Sequence, residues 1–203
     1  MLLSVFFLKR VHKMESPIKR NTESIIHVEE WTPEGDAQGM YTDKKGNSFP
    51  ITVPYSMPGE TVKVCVFKRR HQRKLTVSYV DLIEGVKERI NPRCKHFTVC
   101  GGCRFQHIEY VKQLGRKESR VKELFPEHEI ESIIPCKEEW NYRNKMEFTF
   151  SQSAAGDHFI GLLIPGSRGR VVDLEECHLV SSFYMDLLEK VRKWREENSL
   201  SAY

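Results

Sequence analysis

The chain of 203 residues has no apolar run long enough to cross a bilayer. Its opening run, Leu2-Leu3-Ser4-Val5-Phe6-Phe7-Leu8, is about a third of a membrane span. An export signal would place positive charge before that run and small residues after it, and neither is present. No internal repeat or low-complexity tract occurs, which removes solenoid and fibrous architectures. Charge imbalance is also small, 32 basic against 28 acidic residues, so any polyanion-binding face must come from local clustering. With 39% apolar and 30% charged residues, the composition is that of a globular chain of one or two domains with real cores. A cytoplasmic location and no membrane partner are expected. Met14 opens a polar stretch and is expected to be the translation start, leaving residues 1–24 as a disordered tail or sequence ahead of that start.

Six cysteines are present, three of them inside ten residues: Cys94-Lys95-His96-Phe97-Thr98-Val99-Cys100-Gly101-Gly102-Cys103. Thiolates spaced this closely can wrap one soft centre, and the paired glycines are expected to let the backbone turn tightly around it. A disulfide scaffold is disfavoured in a chain this long and this charged. Zinc and cubane iron–sulfur sites both usually take four protein ligands, so a distant cysteine or histidine must fold back onto the loop. Three clustered cysteines with one remote ligand favour iron–sulfur, with zinc as the alternative. Cys136 and Cys177 are the remote thiols, and His96, His107 and His178 are weaker candidates.

From Ile25 to about Glu84 short apolar runs alternate with turn sequences, which predicts a small all-β unit. Val62, Val64 and Val66 alternate with Lys63 and Cys65, and Leu75, Val77 and Tyr79 with Thr76 and Ser78, the pattern of a hairpin. Its connection carries Lys68, Arg69, Arg70, Arg73 and Lys74 with no acid among them. Such a cationic finger is what phosphate binding requires, so nucleic acid is the expected partner. Phe49, Tyr55 and Tyr79 are candidates for stacking on bases. Beyond the cysteines, Ile108, Val111, Leu114, Val121, Leu124 and Phe125 predict a linker helix packed near the metal and ended by Pro126. Met146, Phe148 and Phe150, then Phe159 to Ile164, then Val171-Val172 predict a three-stranded antiparallel meander. Arg143 and Lys145, two apart at its start, should share one face. A final helix after Ser181-Ser182 carries the stripe Phe183, Leu187, Leu188, Val191 and Trp194, expected to be partly unburied.

Gly39-Met40-Tyr41, Ile51-Thr52-Val53-Pro54 and Met57-Pro58-Gly59-Glu60-Thr61-Val62 resemble the TRAM module, an OB-like RNA-binding barrel. Arg89 to Gln106, with Asn91-Pro92-Arg93 ahead of the cysteines, and Tyr142-Arg143-Asn144-Lys145-Met146-Glu147-Phe148 resemble the iron–sulfur RNA (uracil-C5) methyltransferases, closest in layout to the bacterial 23S rRNA enzymes. The resemblance implies an α+β chain: a TRAM barrel over 25–84, an iron–sulfur loop and linker helix over 85–126, and a partial central RNA-binding domain over 127–203. It implies a 4Fe-4S cluster on Cys94, Cys100, Cys103 and Cys177, because Val171 to Leu179 resembles the segment bearing the remote ligand. It places Arg143 and Lys145 near bound RNA, and favours ribosomal over transfer RNA. In the family a thiolate attacks C6 of uracil, C5 then takes a methyl group from S-adenosylmethionine, and a base removes the C5 proton. The chain shows no strand followed by a glycine-rich turn and helix for that donor, and Cys65 and Cys136 fall in no nucleophile motif. No catalytic residue is therefore assigned. The donor would bind only through a missing Rossmann-like domain, or a separate catalytic half, and the chain alone is expected to be inactive. A stand-alone RNA-binding module with a structural metal is the other reading.

Overall fold

The structure, a computed structural model, describes residues 22–68, 75–167 and 169–202. Five strands come first: β1 (Thr22–Trp31), β2 (Ala37–Thr42), β3 (Ser48–Val53), β4 (Thr61–Lys68) and β5 (Leu75–Glu84). They form one antiparallel sheet in the order β3-β2-β1-β4-β5, and β3 also contacts β5, so the sheet curls until its edges meet. The alternation seen in the sequence decides which face goes in. Val62, Val64 and Val66 are buried with Ile26, Val28, Ala37, Ile51 and Val53, while Lys63 and Cys65 point away. Gly39 is needed where β2 crosses β1, since a Cβ there would lie 2.3 Å from the His27 carbonyl oxygen. The β-unit was expected from Ile25; β1 begins at Thr22, where Thr22 pairs with Val66.

The Met57–Glu60 turn closes the inside of this unit around a charge. Glu60 is fully buried, and its carboxylate accepts from Met57 N (2.8 Å) and from the Arg89 guanidinium at 2.5 and 2.7 Å. Arg89 also donates to the Tyr55 carbonyl (2.8 Å), so this one side chain fastens the segment after β5 to the barrel.

Helix α1 (Tyr110–Leu124) follows the cysteine loop. Contrary to the expected packing, none of its residues is buried, and Val111 and Leu124 are largely exposed. It is held instead by polar contacts: Gln113 donates to the carbonyls of Phe105 and Ile108, and Arg116 to that of Thr32.

The second sheet is the expected meander, β6 (Thr149–Gln152), β7 (His158–Leu163) and β8 (Val171–Asp173). Its first strand is shorter than the alternation predicts. Met146 and Phe148 precede β6, and Phe150 is exposed with the Arg195 guanidinium 5.2 Å over its ring. Ile160, Val172 and Leu174 form a core with Cys100 and with Leu188 of helix α2 (Ser182–Glu197). Arg192 clasps that helix to the sheet through Asp173 (2.5 Å) and the Leu174 carbonyl (3.0 Å). Only part of the α2 stripe is used: Leu188 is buried and Val191 packs on the core, while Phe183, Leu187 and Trp194 stay exposed. Among the described residues no helix is long and apolar enough to cross a membrane.

Candidate functional site

The cysteine loop is wound tightly from its own backbone. Phe97 N reaches the Cys94 carbonyl (3.1 Å), and Val99 N and Cys100 N both reach that of His96 (3.2 and 2.8 Å). The sharp turn falls on Thr98, at φ 75°, and not on the glycines, neither of which takes a positive φ. A β-branched residue in that region is strained, and such strain is retained where surrounding contacts fix it. Gly101 and Gly102 serve close approach instead. Gly101 N donates to the Leu163 carbonyl at the end of β7 (3.1 Å), where a Cβ would lie 2.7 Å from that oxygen. The glycines thus seat the loop on the second sheet.

The segment after β8 comes back onto the same loop. Glu176 accepts from Lys95 N (2.6 Å), Glu175 pairs with the Lys95 ammonium (2.6 Å), and Glu175 N donates to His96 Nε2 (3.1 Å). That contact fixes the proton of the buried His96 on Nδ1. With it Cys177 joins the loop cysteines. The Cys100 thiol feels the charge of both Cys103 and Cys177, Cys103 that of Cys177, and Cys94 that of Cys100 and Cys103. Burial pushes the Cys94 thiol up to about 11 and raises Cys100 and Cys103 as well, each carrying neighbouring thiols as a further cause. Gly102 N donates to Cys100 Sγ (3.3 Å) and Gln106 accepts from Cys94 N (3.0 Å). Among the described residues, no three Cys, His, Asp or Glu side chains stand close enough as placed to hold a metal ion. The fold therefore brings the four thiols into one neighbourhood without drawing them to one point. Cys136 is elsewhere, exposed, with its thiol on the Glu138 carbonyl (3.1 Å), and Cys65 is half-buried on β4 with its thiol raised by burial.

His107 is not beside the thiols. It is fully buried against Phe97 (ring centroids 5.4 Å), and burial, with Arg89 nearby, lowers it to about 4. His178 lies 3.7 Å from Glu176 and edge-on to Trp140.

Arg69, Arg70, Arg73 and Lys74 of the basic finger, and the side chain of Lys68, lie outside the described residues. Arg143 and Lys145 do not share a strand face, since they lie in irregular chain ahead of β6. Lys145 pairs with Glu147 (2.8 Å). Arg143 N donates to the Leu179 carbonyl (2.9 Å), beside Asn141 N on that of His178 (2.9 Å), which sets its exposed guanidinium near enough to Cys100 and Cys103 for both thiols to feel it. Of the stacking candidates, Tyr55 is buried edge-on between Tyr79 and Phe97, and Tyr79 is half-buried, its hydroxyl pushed up to about 12 by burial. Neither ring is free for a base. Phe49 on β3 remains exposed.

Sequence reasoning passed over the clamp that joins the cysteine side to the β1–β2 turn. Arg104 pairs with Asp36 (2.5 Å), the Arg116 guanidinium stacks 4.2 Å over Trp31, and Phe105 lies against Gly35. The one signal was Gly35, whose φ of 98° suits glycine and whose absent Cβ leaves room for the Phe105 ring.

Sequence comparison finds relatives that match most of this chain. The chain is 36% identical over 159 residues to an uncharacterised RNA methyltransferase of Protochlamydia amoebophila, covering 75% of this chain and 35% of that protein. It is 30% identical over 170 residues to another of Clostridium acetobutylicum, covering 81% of this chain and 36% of that one. It is 31% identical over 153 residues to the tRNA (uracil(54)-C(5))-methyltransferase of Pyrococcus furiosus, covering 75% of this chain and 35% of that enzyme. The chain belongs with the RNA m5U methyltransferases. It spans about a third of the length of the curated relatives it matches. No model of a known protein family matches it.

Proposed function

We propose that this chain is the RNA-recognising part of a uracil-C5 RNA methyltransferase, with a TRAM-type barrel over 25–84 and a 4Fe-4S cluster on Cys94, Cys100, Cys103 and Cys177. The observation that supports the reading is the return of the segment after β8 onto the cysteine loop through the Glu175–Lys95 and Glu176–Lys95 contacts, which brings Cys177 within electrostatic reach of Cys100 and Cys103. Four soft thiolates suit iron–sulfur and also zinc, and a bound metal would displace the protons that burial favours on Cys94, Cys100 and Cys103. When bound, the cluster supplies metal–thiolate bonds that cross-link the loop to the strand end after β8. The chain's own residues then present cations to RNA from the 68–74 connection and from Arg143, with ribosomal RNA favoured over transfer RNA.

Methyl transfer needs a positioned thiolate, a bound sulfonium donor and a base, and RNA affinity can orient a uracil but cannot replace those groups. Cys65 has a thiol raised by burial and Cys136 donates its S–H to the Glu138 carbonyl, so neither is a prepared nucleophile. Anaerobic purification followed by iron, sulfide and zinc analysis and absorption spectroscopy tests the centre. Incubation with radiolabelled S-adenosylmethionine and total RNA tests the rest. RNA binding without transferred label is expected; label at uridine C5 from this chain alone would overturn the division of labour.

A further inference from the structure

Between the β1–β2 turn and helix α1 lies a half-open cavity of about 290 Å³ whose walls are Pro33, Phe105, Ile108 and Val121. Its lining includes three cations, Arg116, Lys117 and Arg120, against the single acid Glu34. A second cavity of about 370 Å³, lined by Trp31, Ser119 and Glu123, shares Pro33, Arg116 and Arg120 with the first. The shared Arg116 guanidinium is stacked on Trp31 and tied to the Thr32 carbonyl at 2.6 Å. The stack and the Thr32 contact fix the Arg116 side chain that both cavities share, so that side chain needs little further ordering on binding.

We propose that this pair of cavities is a binding site for single-stranded RNA, in which one unstacked base enters the apolar slot over Phe105 and Val121 and the adjoining phosphates lie on Lys117 and Arg120. The inference rests on the reading of the chain as an RNA-binding one and adds a site to it. An apolar slot with a cationic rim matches a nucleotide's two parts, a flat π-face and an anion. A guanidinium plane already stacked on an indole is the kind of surface against which a splayed base rests. The slot reads no base edge by a fixed donor set, so it should take any base that can leave its stack, and a duplex of the same sequence should bind less well.

The test uses the full chain and a 12-residue oligouridine carrying 4-thiouridine, read by fluorescence anisotropy and by photocrosslinking with peptide mapping. Val121→Trp fills the slot from an exposed position, and Lys117→Ala/Arg120→Ala removes the rim. Crosslinks should fall on the peptides bearing Phe105 and Val121, and V121W should weaken binding about five-fold or more, the loss expected when one base–aromatic stack is denied. The double alanine variant should lower the slope of log affinity against log salt by about 1.4, two single-strand phosphates' worth, and it remains informative if V121W misfolds. If the unaltered chain binds the probe while both variants bind as well as it does and crosslinks map elsewhere, the slot belongs to a protein segment or to nothing, and the proposal is wrong while the RNA-binding reading stands. If the unaltered chain does not bind RNA, both fall.

Discussion

Glu60 is a carboxyl group with no exposed surface, and inside the barrel it is matched by the two-pronged Arg89 guanidinium together with Met57 N. Removing either charge strands the other, which costs about 3–5 kcal/mol for a buried pair. Arg89→Ala should therefore lower the urea midpoint steeply, and Glu60→Gln/Arg89→Met together should recover part of the loss. An R89A chain as stable as the parent would show that the pair does not fasten the segment. Beside it, His107 is neutral at pH 7 because its folded value of about 4 lies below the ordinary 6.5. The unfolded chain takes up the proton first, so stability is whole above pH 6.5 and declines as pH falls toward 4, by about 3 kcal/mol in all. His107→Phe, measured by denaturant midpoint at several pH values, should flatten that decline. None of this was legible in the sequence: Glu60 looked like a turn residue and His107 like a spare metal ligand, because pairing across 29 residues leaves no local pattern. The clustering of Cys94, Cys100 and Cys103 on one loop was legible, since residues of one loop must sit close in sequence.

At the scale of elements, strands whose inner face repeats every second residue were readable, as with Val62, Val64 and Val66. Those where neighbours decide were not. Phe150 alternates correctly with Phe148 yet sits outside under Arg195, and the α1 pattern is apolar enough for a packed helix yet buries nothing. The two glycines of the cysteine loop were assigned the right loop and the wrong reason, because a positive φ and a close backbone approach demand the same residue. Two outcomes test the elements themselves. Replacing Lys68, Arg69, Arg70, Arg73 and Lys74 with alanine should flatten the salt dependence of RNA binding by about 0.7 for each phosphate no longer neutralised, and an unchanged slope would remove the finger from the interface. On α2, Leu188→Ala should cost about 2–5 kcal/mol in thermal or urea unfolding, whereas Trp194→Ala should change stability little and reduce self-association.

At the scale of the molecule, the barrel and the meander sheet each have their own core, and the segment from Arg89 to Leu124 joins them through Arg89, the Arg104–Asp36 clamp and the cysteine loop. If the four thiols form one centre, Cys177→Ala should abolish bound metal and loosen the second sheet from the loop, while Cys136→Ala should leave metal content unchanged. Metal analysis beside limited proteolysis reads both, and the reverse pattern would exchange the two assignments. The contacts that bring the segment of Cys177 back to the loop span 79 to 81 residues, whereas the strand pairs among the described residues reach at most from Thr22 to Val66. Closing so large a loop is slow and entropically late, while local sheets can form first. A newly made chain should pass through a stage in which both sheets exist and the thiols are still apart. At that stage the cysteines are open to oxidants, so if the four thiols hold a metal, its timely delivery, more than the speed of the barrel, would set the yield of intact protein.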